Sequence, residues 1–358
     1  MVTEFPSAWI RRLPKTDLHC HLDGSLRPET LLELGMAQGV PLPADNVEDL
    51  TPHLTPPPSG DLTAYLALFD LTLSVMQTEE SLSRVAYELA ADAAAENVRY
   101  LEVRYSPVLH QQKGLGLEAI VDAVLDGLKR AGDEFGIQTG VILCGIRSLD
   151  PATTDRLADL TLSYWGRGVV AFDLAGAERN FPAKHHLDAF YRIRNASMNL
   201  TIHAGEAFGA ASIHQALHYC GAHRIGHGTR LGEDSALLSY VNDHRVGIEV
   251  CLTSNVQTGA VDSIRNHPFR GYFRDGLRVS LHTDNRLISA TDCTQELGLA
   301  IEAFDLGLED IRRLTINGFK SAFLPHEEKK AVLREAVGEL DQLFAEIDPG
   351  HRPDRTFL

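Results

Sequence analysis

No CxxC pair occurs in the sequence. Its five cysteines, Cys20, Cys144, Cys220, Cys251 and Cys293, are odd in number and far apart. That pattern excludes a disulfide framework and fits a reducing cytoplasm. No run of about 18 apolar residues exists, which argues against a membrane span. The opening MVTEFPSAWIRRLPK has no long apolar stretch, so no signal peptide is expected. Positive charge is scarce as well. There are 33 Lys and Arg against 49 Asp and Glu, a net charge of -16 with His neutral. Nucleic acid and anionic membranes both demand basic patches, so neither is an expected partner. Internal repeats, low-complexity tracts and flexible linkers are also missing. What remains is an ordinary globular composition, 44% hydrophobic over 358 residues, long enough for a sizeable core.

Short apolar runs alternate with helical patterns almost to the end. Eight runs read as strands: Thr16–Leu22, Arg99–Tyr105, Gln138–Ile146, Gly168–Leu174, Asn199–His203, Arg224–His227, Gly247–Leu252 and Arg278–His282. Helical stretches lie between most of them, among them Glu118–Glu134, Pro151–Tyr164, Leu187–Asn195, Ala210–Cys220 and Asp234–Asp243. Strand–helix alternation implies parallel βαβ units. Eight units predict a closed (β/α)8 TIM barrel, with an open doubly wound sheet as the structural alternative. A long insertion follows the first strand, over about 27–97. It holds a proline-rich stretch, Thr51–Gly60, and two helical segments, Asp61–Met76 and Glu79–Asn97. Loops after barrel strands face the catalytic mouth, so the insertion reads as a lid or pocket wall. The tail over about 308–344 reads as helices packed outside the barrel. The whole chain, 1–358, reads as one domain.

The stretch TDLHCHLDGS, residues 16–25, places His19 and His21 two apart on a strand that ends at the Asp23-Gly24 turn. Residues i and i+2 share one face, about 7 Å apart along the strand, which suits two ligands of one ion. A lone HxH is more often a pair of ordinary half-buried histidines. Other strand ends add weight. The fourth gives Asp173 and Gly176. The fifth gives His203 and Glu206, the sixth His227, and the eighth His282, Asp284 and Asn285. In a barrel these ends converge on one mouth. Imidazoles and a carboxylate together make a Zn²⁺ shell, although Fe²⁺, Co²⁺ and Mn²⁺ accept the same donors. Such a site implies metal-assisted hydrolysis, with Glu206 placed to move protons and His227 to hold or polarise the attacking oxygen. His185, His186, His214, His218, His244 and His351 fall in helical or tail contexts and are given no function.

The motifs TDLHCHLDGSLRPETLLEL, VRYLEVRYSP, FDLAGAE, HAGE, RIGHGTRL and SLHTDN resemble those of the adenosine deaminase family within the amidohydrolase superfamily. They run in family order from about residue 13 to residue 290. The resemblance implies a zinc-dependent barrel, one Zn²⁺ per chain, that replaces the 6-amino group of a small-molecule purine nucleoside with oxygen. On that resemblance, His19, His21, His203 and Asp284 match the zinc ligands. Glu206 matches the acid that protonates purine N1, and His227 the histidine that orients the attacking hydroxide. Gly176 N–H matches the donor to N3, and Asp23 the contact to the ribose 5′-hydroxyl. In the insertion, Leu62, Tyr65 and Leu66 match hydrophobic pocket residues, a pattern that plain helix packing also produces.

Two departures stand out. Asn285 follows Asp284 where the family commonly has a second Asp facing N7; an amide can donate there without needing a proton. His282 stands where Asn is common, and sharing a strand face with Asp284 it reads as a partner of that ligand. The branch acting on free adenine usually carries Glu where Asp23 stands, so Asp23 favours a nucleoside. Modified adenosines such as aminodeoxyfutalosine stay as alternatives. A two-metal amidohydrolase is a further alternative, but no Lys ends the fourth strand to bridge two ions. A barrel that only binds purine is disfavoured by the intact set of ligands, acid and histidine. Oligomeric state is not legible here.

Overall fold

A computed structural model describes residues 5–57, 60 and 62–351. Pro58 of the proline-rich stretch, Asp61 at the start of the expected segment Asp61–Met76, and both ends of the 1–358 domain reading lie outside the described residues. Eight strands form, β1 (Lys15–His21), β2 (Val98–Tyr105), β3 (Gln138–Ile146), β4 (Val169–Ala175), β5 (Asn199–Ala204), β6 (Arg224–His227), β7 (Gly247–Val250) and β8 (Val279–Leu281). Their order in the sheet is the order in the chain, and each pairs in parallel with the next. Runs such as VVAFDLA in β4 are buried on both faces, as parallel strands covered by helices must be.

The sheet closes on itself. Cys20 bridges Asp284 in parallel. His21 N–H donates to Asp284 O at 2.7 Å, and Asp284 N–H donates to His19 O at 2.8 Å. The expected (β/α)8 barrel is therefore the fold, and the open sheet is not formed. Edges differ slightly from the sequence reading. β7 stops at Val250 because Leu252 opens a helix, Leu252–Gln257. β1 carries a register shift between Asp17 and Cys20.

Among the described residues between β1 and β2 lie five helices, Pro28–Gln38, Val47–Leu54, Leu62–Ala67, Phe69–Val75 and Glu79–Ala95. The expected single segment up to Met76 is thus broken at Leu68. Elsewhere, the helix starting at Ala210 passes into a π turn over Gln215–Tyr219. The tail forms helices Leu308–Ser321 and His326–Ile347. The first packs on β1 and β8, covering the seam where the barrel closes. The turn after it plugs the base of the barrel. There Phe323 N–H donates to Glu102 Oε1 at 2.6 Å, and the Arg224 guanidinium lies 3.6 Å from the Phe323 ring centroid.

Local signals set the helix limits. Thr78 and Ser81 form a capping box before Glu79–Ala95. Asp150 caps Pro151–Ser163 by accepting Ala152 N–H, with Pro151 in the first turn. Gly136 ends Leu117–Phe135 at φ +72°, a conformation that costs glycine nothing. That helix crosses Glu79–Ala95 closely at Gly127, where a Cβ would fall 2.1 Å from Ser83 O. The Gly127→Ala variant should lose about 1–3 kcal/mol despite the better helix propensity of alanine. A urea midpoint equal to or above the parent's would show that the crossing is looser than this.

Candidate metal centre and catalytic mouth

β1 supplies His19 and His21, β5 supplies His203, and Asp284 stands three residues past β8. One ligating atom from each lies within 4.8 Å of the others. His21 Nε2 and His203 Nε2 are 3.0 Å apart. Asp284 Oδ1 is 3.4 Å from both His19 Nε2 and His21 Nε2. Asp284 holds φ +60°, and the nearby His227 φ +65°. Left-handed backbone at non-glycine residues persists only where surrounding contacts fix it. For Asp284 those contacts are the two closing hydrogen bonds of the barrel.

The ring orientations are set from behind. His19 Nδ1 lies 2.8 Å from Glu249 Oε2, and His203 Nδ1 lies 3.0 Å from Asp173 Oδ2. Burial opposes the charge on Glu249, but Arg104 and Arg224 outweigh it and hold its pKa well below the usual range. An ionised carboxylate only accepts, so both Nδ1 atoms carry hydrogen and both Nε2 lone pairs face the cluster. Burial likewise opposes charge on His203, yet Asp173 raises its basicity overall. His19 Nε2 is buried and makes no hydrogen bond among the described residues, Asp284 Oδ1 standing 3.4 Å away. Lone pairs and a carboxylate brought this close repel unless a cation lies between them. The donor set therefore fits one divalent ion with a taste for imidazole and carboxylate.

A buried ion network underlies these carboxylates. Arg104 reaches Asp173 at 3.1 Å and Glu249 at 2.9 Å. Arg224 reaches Glu249 at 2.6 Å and also pairs with Glu102. Thr201 Oγ1 donates to Glu249 Oε1 at 2.8 Å.

Glu206 and His227 stand beside the ligands, with His227 Nε2 3.6 Å from Glu206 Oε2. Burial, resisted by His227, raises the Glu206 carboxyl above its ordinary value. Its backbone is gripped by Glu178, whose carboxylate accepts the N–H groups of Gly205, Glu206, Ala207 and Phe208 at 2.6, 3.0, 2.7 and 2.9 Å. Asp23 is buried in the same mouth. Burial pushes its carboxyl up to about 7, and its Oδ1 has no partner among the described residues. Asn285 packs against Gly24, where a Cβ would fall 2.0 Å from its Oδ1, and that oxygen too is buried without a partner among the described residues.

Tyr65 is buried on the helix Leu62–Ala67, and its hydroxyl lies 2.8 Å from Ser289 Oγ in the loop after β8. Phe69 follows, its ring edge-on to His21 at 6.5 Å between centroids. Leu62 and Leu66 are half-buried on the same helix. Gly176 follows β4 at φ +92°. His282 does not reach Asp284. Its Nδ1 accepts Leu18 N–H at 2.9 Å and its Nε2 donates to Ser280 Oγ at 2.8 Å, filling the gap left by the irregularity in β1.

Several residues escaped the sequence reading. Glu178 stood inside the motif FDLAGAE. Glu249 and Arg104 lie within strands, where a charged residue reads as a solvent-facing one. The sequence reading assigns no role at the end of the seventh strand, although CLTSN places Thr253, Ser254 and Asn255 there. Ser254 Oγ donates to Asp284 Oδ2 at 2.6 Å, and Asn255 Nδ2 lies 2.9 Å from His227 Nδ1.

The helix bearing Ser254 and Asn255 is anchored by Glu296, which accepts Leu252 N–H at 3.0 Å and is held by the hydroxyls of Thr253 and Thr291. Burial raises the Glu296 carboxyl from 4.5 to about 7. The folded state thus holds this proton more tightly than the unfolded chain does. Stability from this group is full below about 4.5 and falls as pH rises to 7, by about 3 kcal/mol. Glu296→Gln should therefore lose less Tm than the parent between pH 5 and 8. Parallel Tm–pH curves would refute this.

A family model described as adenosine deaminase matches residues 14–339. The adenosine deaminase of Mycobacterium sp. (strain KMS) is 44% identical over 354 residues, spanning 94% of this chain and 98% of its own length. Adenine deaminase from Arthrobacter aurescens superposes with a TM-score of 0.86 at 26% identity, covering 92% of this chain and 99% of that one. Arabidopsis N6-mAMP deaminase superposes with a TM-score of 0.83 at 27% identity and the same coverage.

Proposed function

The chain belongs to the adenosine deaminase family, hydrolases that act on C–N bonds, and from that premise we propose that it converts adenosine or 2′-deoxyadenosine to the inosine nucleoside and ammonia. The observation that carries this reading is the convergence of His19, His21, His203 and Asp284 on one point, with Glu206 and His227 beside them.

The four ligands would hold Zn²⁺, which when bound supplies the Lewis acidity that makes water nucleophilic near neutral pH. Glu206 delivers a proton to purine N1 as oxygen adds at C6. Its raised pKa suits a group that must hold a proton as well as release one. His227 orients the attacking oxygen. Gly176 N–H faces N3, and the Asn285 amide donates to N7. Leu62, Tyr65 and Leu66 cover the base and exclude water. Asp23, buried with an unpartnered oxygen, takes the ribose 5′-hydroxyl. A free base would leave that oxygen unpaired, and a 5′-phosphate would have to be desolvated beside this buried carboxyl. Both adenine and nucleotide substrates are therefore disfavoured, whatever related barrels accept.

Ammonia release should be measured on the zinc-loaded enzyme with adenosine, 2′-deoxyadenosine, adenine and aminodeoxyfutalosine. Adenosine is expected to exceed adenine in kcat/KM by at least about tenfold, or about 1.4 kcal/mol. A lead by adenine or by the larger nucleoside would overturn the Asp23 assignment while leaving the chemistry in place. Glu206→Gln is expected to retain one zinc per chain by elemental analysis and to lose about 10²–10⁴ in kcat. Near-native turnover in that variant would remove Glu206 from its role.

A further inference from the structure

His227 sits at the end of a chain of hydrogen bonds whose directions are all forced. The chain starts at a backbone donor. Phe269 N–H donates to His267 Nδ1 at 3.0 Å, so that nitrogen is an acceptor. The hydrogen of neutral His267 is then on Nε2, which lies 3.1 Å from Asn255 Oδ1. An amide oxygen only accepts, so this contact fixes which end of Asn255 faces which partner. The amide nitrogen is left facing His227 Nδ1 at 2.9 Å, and it can only donate. His227 Nδ1 must therefore be the acceptor. One main-chain N–H thus leaves a single consistent assignment for the whole chain of hydrogen bonds. All three side chains are buried, with Asn255 fully enclosed, so bulk solvent does not compete for these contacts.

We propose that Asn255 and His267 are positioning residues that hold the Nδ1 lone pair of His227 toward Asn255 and so keep its hydrogen on Nε2. The inference rests on the deaminase reading of the mouth. Its consequence is a division of labour. Nε2, the nitrogen 3.6 Å from Glu206, has a hydrogen to give and no lone pair to offer. His227 holds the attacking oxygen by donating to it and does not take its proton. Glu206 is then the only proton carrier. Water oxygen forms the bond to C6 while one water proton passes through the Glu206 carboxylate to N1. The second proton moves from that oxygen to the 6-amino group, the C6–N bond breaks, and ammonia leaves. N1 keeps its proton and C6 becomes a carbonyl, which balances adenosine plus water against inosine plus ammonia.

Asn255→Asp is the sharpest perturbation. A carboxylate of the same shape still accepts from His267 but now also accepts from His227, pulling hydrogen to Nδ1 and leaving Nε2 bare or charged. The zinc-loaded parent and variant would be labelled with ¹⁵N-histidine and their ring-nitrogen shifts recorded alongside kinetics on adenosine. In the parent, His227 is expected to show a protonated Nε2 and a bare Nδ1. In Asn255→Asp, Nδ1 should become protonated and kcat fall by about a hundredfold, with KM within about threefold. His267→Gln, which keeps a donor for Asn255 Oδ1, should retain far more activity than His267→Phe. A protonated Nδ1 on His227 in the parent would overturn the proposal, and that spectrum needs no variant to fold. An unchanged tautomer and rate in Asn255→Asp would overturn it equally. If the parent deaminates no nucleoside, the functional reading fails while the parent spectrum still decides the tautomer.

Discussion

Two buried guanidinium groups decide how much negative charge the inside of this barrel can carry. Arg104 and Arg224 face Glu102, Asp173 and Glu249, all of them almost or wholly shielded from water. Two cations against three carboxylates leave one negative charge in excess. Desolvating five charges is expensive, and the arrangement holds only because nearly every oxygen finds a donor. Two of those oxygens find imidazole N–H groups, those of His19 and His203. The barrel core and the candidate metal ligands are thus one electrostatic unit. Loss of either arginine would leave a buried carboxylate short of counter-charge directly behind these rings. Closure of the barrel is tied to the same point, since Asp284 makes the hydrogen bonds that join β8 to β1.

The architecture was largely legible in the sequence because both-face-buried strands are short, apolar and rhythmically spaced. The imidazoles that converge in the mouth were legible because they sit at strand ends. What lay inside the barrel was not. Glu249, Arg104 and Glu102 follow strand alternation, and alternation alone does not say whether the second face meets water or a sealed interior. The end of β7 was passed over because serine and asparagine carry no chemistry by themselves. They matter only through Asp284 and His227, which arrive from other strands. His282 was misread for a related reason. The irregularity in β1 leaves Leu18 N–H without a strand partner, and that vacancy, invisible in a pattern, is what His282 fills.

The helices between β1 and β2 meet the mouth at a polar contact as well as an apolar one. Tyr65 lies 6.3 Å ring to ring from Phe69, which in turn faces His21. The Tyr65 hydroxyl pairs with Ser289, four residues beyond Asn285. This helix is therefore tied to the loop that carries Asn285.

Gly24 has a consequence for how that selectivity can change. Its bare Cα lets Asn285 pack against the turn that also carries Asp23, with no room for a methyl group between them. The group read here as touching the sugar and the group read as touching the base are thereby geared together through one backbone contact. A mutation that shifts the turn to suit a new sugar also shifts the amide against the ring. Selectivity for the two halves of the substrate would then be inherited as a single trait, and a path toward a new substrate would have to change both ends at once.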